Sequence, residues 1–351
     1  MTDGATSAAS SQSAPEVSVV VPARNEEACV EACLASLVTQ AGVSKEIILV
    51  DDGSTDRTRE LVAGFPGVRV IDAGVRGEGW GGKSNALWTA AQQARGAWLL
   101  FTDADTVHSP GSLALAVAEA KSKRAALLSY SPDQDVRGFW EHAVMPVIFA
   151  ELAATYRPQE VNDPASPAAA ANGQYLLVER NAYFAVGGHA AVATSLLEDV
   201  ELARAVKKSG LGISFRFGGD AVCTRMYRSF PQLCEGWTKN LALLFPATLL
   251  LALLRGAESV LIVGSAGVAA FELCRGRVAP AALLAVVAIM FYAFFLTRIR
   301  KAHFGWTSNL LALFGLPVFS LLLLRSYIHY NVRKTVMWKG REYAVKQPME
   351  G

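Results

Sequence analysis

Short apolar runs alternate with amphipathic segments along the first hundred residues. Segments with helical periodicity lie between runs rich in β-branched and other apolar residues, which predicts strands at 17–21, 46–50, 68–72 and 97–102 and helices at 26–39, 55–63 and 83–94. Strands that alternate with helices are joined by right-handed crossovers and form a mainly parallel sheet covered on both faces. The pattern therefore predicts an α/β fold, in which ligands bind at the carboxyl ends of the strands.

Three further segments follow this pattern. Ser109 followed by Pro110 predicts an N-cap and the first residue of a helix that runs to about Lys123. The mostly apolar segment 139–156 contains two Glu, one His and one Pro, so it suits a spanning helix poorly. It fits a position on the membrane surface, in an acceptor site or in the core. Residues 158–172, with three prolines, predict a loop that is either an active-site lid or disordered.

The last third of the chain is dominated by apolar residues. It contains four apolar stretches, at 241–254, 257–274, 278–297 and 309–328. A membrane span takes roughly 20 apolar residues, so the last three stretches are candidates. The first stretch is short and contains Pro246, which favours an interfacial or re-entrant segment.

The topology depends on the number of crossings. Four crossings place the basic tail, 331–351, in the cytoplasm, and three place it outside. The positive-inside rule favours the cytoplasm for this tail, although Arg298, Arg300 and Lys301 then lie on the opposite side.

Charge divides the chain at the same place. Residues after 240 contain 12 Lys and Arg against 4 Asp and Glu, a net charge of +8, whereas the first 240 carry 21 against 27, or −6. The acidic first part argues against a nucleic-acid partner, and a basic part with apolar stretches indicates a membrane. Residues 1–15 lack the basic start and apolar core of a secretory signal, so we expect a disordered tail before a cytoplasmic domain at 16–240.

The predicted fourth strand ends on two carboxylates. Asp103 and Asp105 are two residues apart, so in extended backbone both project to one side. Such a pair can hold a divalent cation, but taken alone it is more often part of a turn.

Six segments together resemble the family 2 glycosyltransferases with a GT-A fold. They cover most of 17–210 and read VPARNEE (21–27), ILVDDGSTD (48–56), GWGGKSNAL (79–87), FTDAD (101–105), NGQYLLVERNAYFAVGG (172–188) and LEDVELARAVKKSG (197–210). The resemblance implies a GT-A domain that binds a nucleotide-diphosphate sugar, with UDP-glucose as the expected donor, in a cell-membrane protein. The GWGGK form is similar to that of family members acting on carotenoid acids and hopanoid-associated lipids, which indicates a lipid acceptor.

Donor-binding roles follow from this resemblance. Asp103 and Asp105 are implied to hold Mg²⁺ or Mn²⁺, which oxygen ligands suit equally. Flexible glycine backbone before the ammonium of Lys83 suits a diphosphate. Asp52 is implied to recognise the nucleotide, although Asp51 or Asp52 could instead be a helix cap. The implied donor-binding positions also include Pro22, Arg24 and Glu26.

Catalytic roles are implied for an acidic pair at the start of a predicted helix. Asp199 matches the position of the family's general base, and Glu198 is the second candidate. An acidic pair in a first helical turn can also simply stabilise the helix dipole. His189, in the same region, could contact the acceptor, but a structural role in its glycine turn is favoured.

One departure from the family pattern indicates a single transfer. Processive members carry Gln-x-x-Arg-Trp before their membrane helices, whereas this chain has QLCEGWTKN at 232–240. Trp237 could stack on a sugar or lipid or anchor at the interface, and Arg225 or Lys239 could contact the diphosphate. Three or four spans are also too few for a polymer-conducting channel.

These observations predict an inverting hexosyltransferase that moves a hexose, with glucose favoured, to a membrane lipid. A polyprenyl-phosphate sugar transferase and a short-chain polysaccharide synthase are the alternative enzymes. A membrane scaffold with a degenerate transferase domain is the alternative without catalysis.

Overall fold

A computed structural model describes residues 14–338 and 341–344. These residues form two compact units. The first unit ends at Pro132 and resumes over Ala170–Val222, and the second comprises Asp133–Ala169 and the chain from Cys223 onward. Residues 1–13 of the expected N-terminal tail, and residues 339, 340 and 345–351 of the basic tail, lie outside the described part.

The helices and strands are numbered in chain order. They are β1 (Val17–Ala23), α1 (Val30–Val38), β2 (Lys45–Asp51), α2 (Thr58–Val62), β3 (Val68–Asp72), α3 (Gly82–Gln93), β4 (Trp98–Phe101), β5 (Thr106–His108), α4 (Ser112–Lys123), β6 (Ala125–Ser131), β7 (Asp133–Gln134), α5 (Phe139–Thr155), α6 (Pro158–Val161), β8 (Leu176–Glu179), α7 (Arg180–Ala185), α8 (Gly188–Ala191), α9 (Glu198–Lys208), β9 (Gly212–Phe217), β10 (Val222–Thr224), α10 (Phe230–Leu244), α11 (Thr248–Cys274), α12 (Val278–Ile299), α13 (Trp306–Ile328), β11 (Thr335–Trp338) and β12 (Arg341–Ala344).

The first unit is built on a seven-stranded sheet. Its order is β3-β2-β1-β4-β8-β6-β9, with β8 antiparallel to both neighbours and the other pairings parallel. Strands β1 and β4 are buried at every position except Pro22, as their mostly apolar sequences require when helices cover both faces. The mainly parallel α/β fold predicted from the sequence is confirmed.

Several element boundaries differ from those predicted. The first helix begins at Val30 rather than residue 26, because Asn25 adopts a left-handed conformation with φ of 54° and the next residues form turns. The predicted Ser109–Pro110 helix start is wrong. The helix begins at Ser112, after Gly111 at φ of 74°. The predicted loop after Pro158 starts with the single-turn helix α6.

Helices α5 and α10 belong to the second unit, although a domain boundary at residue 240 would place α5 and most of α10 in the first. Buried residues of α5 and α10 form one core with α13, to which Ile148, Trp237 and Phe319 contribute. The apolar stretch at 241–254 is divided between α10 and α11, because the chain leaves the helical path at Phe245 before Pro246.

Close packing between α5 and α13 yields the first prediction. A Cβ on Gly315 would overlap the Ala143 carbonyl, so the two backbones touch there. We expect Gly315→Ala to destabilise the second unit by about 1–3 kcal/mol, measured as a lower melting temperature in detergent. Gly267→Ala in α11 is the matched control, since its Cβ would meet nothing within 4 Å. Equal melting temperatures for the two variants would contradict the prediction.

Candidate active site

The site lies where the order of the parallel strands reverses. The chain passes from β1 outward to β2 and β3, and then returns to place β4 on the other side of β1. Loops after β1 and β4 therefore diverge and leave a crevice at their carboxyl ends. Arg24 to Glu26 follow β1, Asp52 follows β2, and Asp103 and Asp105 follow β4.

Hydrogen bonds fix the first two loops to each other. The Asn25 amide nitrogen donates to Ser54 Oγ at 3.1 Å, and Thr55 N donates to Asn25 Oδ1 at 2.8 Å. The Glu26 amide donates to Thr58 Oγ1 at 2.8 Å. This pairing holds the backbone of 24–26 beside the loop that carries Asp52.

The two carboxylates of the Asp51–Asp52 pair are in different environments. Asp51 is buried, accepts a hydrogen bond from Ser54 N at 3.2 Å and forms an ion pair with Arg59 at 2.8 Å. Asp52 is half-buried, and its amide donates to the Ala23 carbonyl at 2.9 Å. Asp51 therefore stabilises the turn after β2, and neither carboxylate is the helix cap that the sequence left open, because the N-cap of α2 is Arg57.

Helix α3 brings Lys83 into the same crevice. The Gly81 amide donates to the Ala193 carbonyl at 2.8 Å, and Asn85 Nδ2 donates to the Ala73 carbonyl at 2.8 Å. Gly79, just before this start, has a positive φ of 73°, which glycine adopts without strain. These contacts place Lys83 in the first turn of the helix.

Buried polar groups beneath the Asp103–Asp105 turn hold its backbone. Thr102 Oγ1 donates to the Gln174 carbonyl at 2.7 Å, and Thr106 Oγ1 donates to the Asp103 carbonyl at 2.8 Å. The His108 ring lies 3.1 Å from both hydroxyls, and burial lowers the pKa of His108 to about 3. His108 is therefore a neutral supporting residue.

Four charged side chains meet in this crevice. The Lys83 ammonium lies 2.7 Å from Asp103 Oδ1 and 3.4 Å from Glu198 Oε1. Asp199 Oδ2 accepts a hydrogen bond from the Gly173 amide at 2.7 Å. A Cβ on Gly173 would lie 2.9 Å from Lys83 Nζ and 3.4 Å from Asp199 Oδ2, so a side chain at this position would displace the Lys83 ammonium.

The surroundings raise the pKa of both Lys83 and Asp199, which keeps the lysine charged and favours the protonated form of the aspartate. Burial would lower the pKa of Lys83, but Asp103 and Glu198 outweigh it, so this pKa is raised and the ammonium stays charged. Burial, and then the charge of Glu198, raise the pKa of Asp199 to about 6. A carboxylate with this pKa can accept a proton near neutral pH.

The donor set at the end of β4 fits a divalent cation that is completed by a ligand. Asp103 and Asp105 provide carboxylate oxygens, which suit Mg²⁺ or Mn²⁺. Among the described residues no group of three or more His, Cys, Asp or Glu side chains forms a metal site. Two carboxylates would therefore depend on diphosphate and water oxygens to complete the shell, as magnesium sites commonly do.

His189 is a structural residue. Its side chain is 2% exposed, its Nδ1 lies 2.9 Å from the Tyr183 hydroxyl, and its ring packs edge-on against Phe101. Burial lowers the pKa of His189 to about 4, so the imidazole is neutral. The predicted contact with an acceptor is not supported, because the ring has no accessible face.

Three other candidates belong to the second unit. Trp237 is 2% exposed and its indole donates to Met145 Sδ at 3.4 Å, so the predicted stacking on a sugar or lipid, and the interfacial anchor, are both replaced by core packing. Arg225 forms an ion pair with Glu141 at 3.1 Å. Lys239 is half-buried, and its carbonyl accepts a hydrogen bond from the Tyr330 hydroxyl at 2.6 Å.

Sequence reasoning missed two supporting features of the site. Thr102 and Thr106 flank the Asp-x-Asp segment, and their polar side chains beside a buried strand were a usable signal. Gly173 lies at the start of a family-like segment, but its contact with Asp199 spans 26 residues and has no local signal.

Fold and site together define a glycosyltransferase with a GT-A fold. Residues 18–178 match the family described as "Glycosyl transferase family 2". It is similar to 4,4'-diaponeurosporenoate glycosyltransferases of Staphylococcus haemolyticus and Staphylococcus aureus, each 27% identical over 94% of this chain and 89% of the relative. A solved structure of the mannosyltransferase PcManGT from Pyrobaculum calidifontis, in complex with GDP-Man and Mn²⁺, shares the fold. It aligns with a TM-score of 0.52 at 16% identity, over 92% of this chain and 89% of that one.

Proposed function

We propose that the protein is an inverting hexosyltransferase that moves a hexose, with glucose favoured, from a nucleotide-diphosphate sugar to an apolar membrane acceptor. The carrying observation is the cluster in which Lys83 contacts Asp103 and Glu198 beside Asp199. It combines a cation for a diphosphate, carboxylates for a metal and a carboxylate of raised pKa within one crevice. The proposed localisation is the cell membrane, with the first unit in the cytoplasm.

The donor half of the reaction uses residues at the ends of β1, β2 and β4. Asp52 would accept hydrogen bonds from the base or ribose, beside Pro22, Arg24 and Glu26. Lys83 would exchange its contact with Asp103 for the diphosphate, where its charge stabilises the departing nucleotide. Asp103 and Asp105 would hold Mg²⁺ or Mn²⁺, which supplies further neutralisation of the leaving group when bound.

The acceptor half uses the carboxylates at the start of α9. Asp199 would take the proton of an acceptor hydroxyl as its oxygen attacks the anomeric carbon, while the bond to the diphosphate breaks. Attack opposite the leaving group in one step inverts the configuration. An acceptor carboxylate is already ionised at neutral pH and would need no base.

The acceptor class is supported by the relatives and by the second unit. The relatives similar over 94% of this chain are named as 4,4'-diaponeurosporenoate glycosyltransferases. The second unit has three helices long and apolar enough to span a membrane, counted over the part of the chain that the structure describes.

The test is transfer from labelled nucleotide sugars. Membranes containing the full chain would be incubated with UDP-glucose, other nucleotide sugars and Mg²⁺ or Mn²⁺, and labelled lipid identified by mass spectrometry. We expect a singly glycosylated apolar lipid and released nucleotide diphosphate. No release from any donor across a broad lipid panel would overturn the proposal, and activity on polyprenyl phosphate that survives Asp199→Asn would instead indicate the polyprenyl-phosphate transferase.

A pH profile tests the assignment of Asp199 against that of Glu198. Because a general base works only when ionised and the pKa of Asp199 is raised to about 6, kcat/KM for a hydroxyl acceptor should fall as pH drops through about 6. Glu198→Gln removes the neighbouring negative charge, which lowers the pKa of Asp199, so the acidic limb should move to lower pH. A limb that disappears in Glu198→Gln would make Glu198 the base.

A further inference from the structure

The three candidate membrane helices differ in how much of their surface is buried against the rest of the protein. Within their most apolar windows only 22% of α11 and 17% of α12 is buried, whereas the α13 window is 44% buried. Large apolar side chains of α11 and α12 are exposed along their length, among them Val260, Phe271, Leu283 and Ile289. Only α11 and α12 therefore present apolar surface on most sides, as a helix in lipid does.

Chain connectivity shows that α5 does not cross a membrane. Both ends of 133–169 join the first unit, so this segment returns to the side where it started. A crossing by α5 would require 158–169, which after one helical turn is irregular, to cross back. Irregular backbone is not tolerated in contact with lipid.

Helix α10 also stays on that side. It begins at Phe230, shortly after the first unit ends at Val222, and contains Glu235 and Lys239. Charged side chains inside the hydrocarbon core are costly, so this helix is not expected to cross.

Both ends of α13 are attached to these two helices. Near its start, Ser308 Oγ lies 2.8 Å from His142 Nδ1 of α5. Near its end, Ser326 Oγ accepts from the Ala242 amide at 2.9 Å and donates to the Thr238 carbonyl at 2.7 Å, both in α10. A helix with both ends on elements of one side does not cross.

A buried charge network marks where α11 and α12 leave these helices. Glu151 of α5 forms ion pairs with Arg255 at 2.9 Å and with Arg298 at 3.3 Å. Glu258 pairs with the same two arginines, at 3.0 Å and 2.8 Å. All four side chains are less than one-fifth exposed. Since charges inside lipid are costly and α5 lies outside it, the network lies at the membrane boundary.

Beyond this network α12 is as long as the hydrocarbon core is thick, and α11 is slightly shorter, a difference that a bilayer accommodates by local thinning. From residue 259 to Cys274, α11 extends about 24 Å, and from Val278 to residue 297, α12 extends about 30 Å. The turn between them carries Arg275 and Arg277, with Arg277 paired to Glu272 at 3.4 Å.

We propose that only α11 and α12 cross the membrane, as a hairpin, and that α13 lies on the side of the first unit with its apolar stripe against the bilayer surface. The stripe includes Trp306, Leu310, Phe314 and Leu321, each more than half exposed. It continues into an aromatic cluster, in which neighbouring ring centroids of Phe139, Trp140, Phe230 and Phe314 lie 4.8–5.9 Å apart. Exposed aromatic rings at this density are typical of a membrane interface.

The distribution of basic residues agrees with two crossings. Arg298, Arg300 and Lys301 at the end of α12 and Arg333 and Lys334 after α13 then share the side of the first unit. Two arginines remain at the hairpin turn. This is the asymmetry that the positive-inside rule expects for a cytoplasmic first unit, and three crossings would place Arg333 and Lys334 with the hairpin turn instead.

Cysteine labelling of the full chain in intact and permeabilised cells tests the topology. Native Cys274 is exposed at the hairpin turn and serves as one reporter of a membrane-impermeant maleimide. In a background in which all five native cysteines are replaced by serine, Gly305→Cys and Asn331→Cys report the two ends of α13, both at exposed positions. A Cβ on Gly305 would meet nothing within 4 Å, so this substitution is expected to be tolerated.

We expect Cys274 to label in intact cells, and both Gly305→Cys and Asn331→Cys to label only after permeabilisation. Labelling of Asn331→Cys in intact cells together with Cys274 would overturn the proposal and establish three crossings. Failure of Cys274 to label until permeabilisation would overturn it as well, since the hairpin would then not cross. The readout is location only, so it is independent of whether the proposed transfer reaction is correct.

Discussion

Asp199→Asn should lower kcat for transfer to a hydroxyl acceptor by about 10²–10⁴-fold, the usual contribution of a positioned general base. The amide keeps the size of the carboxylate, and its oxygen can still accept the Gly173 amide hydrogen bond. It cannot take a proton. KM for the donor should change little, because the groups proposed to hold the nucleotide lie at the ends of β1, β2 and β4. Steady-state kinetics on the labelled-lipid assay measures both constants.

Two controls separate chemistry from folding in this prediction. The melting temperature of Asp199→Asn should stay close to that of the wild type, since the packing is unchanged. Glu198→Gln should lose less activity, as its partner is Lys83. A kcat for Asp199→Asn within about fivefold of the wild type would remove Asp199 from the role of base.

Much of the first unit could be predicted because its strands have local signals. The valine-rich run of β1, in a buried strand, and the β-branched residues of β3, in an edge strand, are strand patterns that need no knowledge of the partners. The position of Asp103 just after β4 then follows from topology, since parallel strands bring their carboxyl ends to one edge.

The membership of α5 in the second unit could not be predicted in the same way. Its sequence is apolar on most sides, so periodicity does not identify its partner. The deciding contacts, at Gly315 with Ala143 and at Ser308 with His142, join residues more than 160 positions apart. A pattern read along the chain has no access to such pairings.

The predicted site residues also fall into two groups, those that the structure brings together and those that it buries elsewhere. The resemblance placed Lys83, Asp103 and Asp199 in donor or catalytic roles, and the structure brings them together around Gly173. His189 and Trp237 are site candidates only because of the chemistry of their side chains, and both are buried. Whether a His or Trp is exposed depends on long-range packing, which short motifs do not encode.

Lys83→Met should lower kcat/KM by about 10²–10³-fold, because losing one group that stabilises the charge of the departing diphosphate costs roughly 3–4 kcal/mol. The substitution removes the cation proposed for the diphosphate. It also leaves Asp103 and Glu198 in the crevice without the ammonium that now lies 2.7 Å and 3.4 Å from them. Methionine keeps an apolar chain of similar length, so the loss is one of charge.

The loss of the ammonium beside Asp103 and Glu198 should change how the variant responds to metal ions, which a folding defect alone would not do. Without Lys83, a divalent cation can take its place beside Asp103, so Mn²⁺ alone, with no donor, should raise the melting temperature of Lys83→Met more than that of the wild type. Lys83→Arg keeps the charge and should respond like the wild type. Adding Asp103→Asn to Lys83→Met should abolish the extra response, whereas a response that persists would place the cation elsewhere and contradict the donor set assigned to the end of β4.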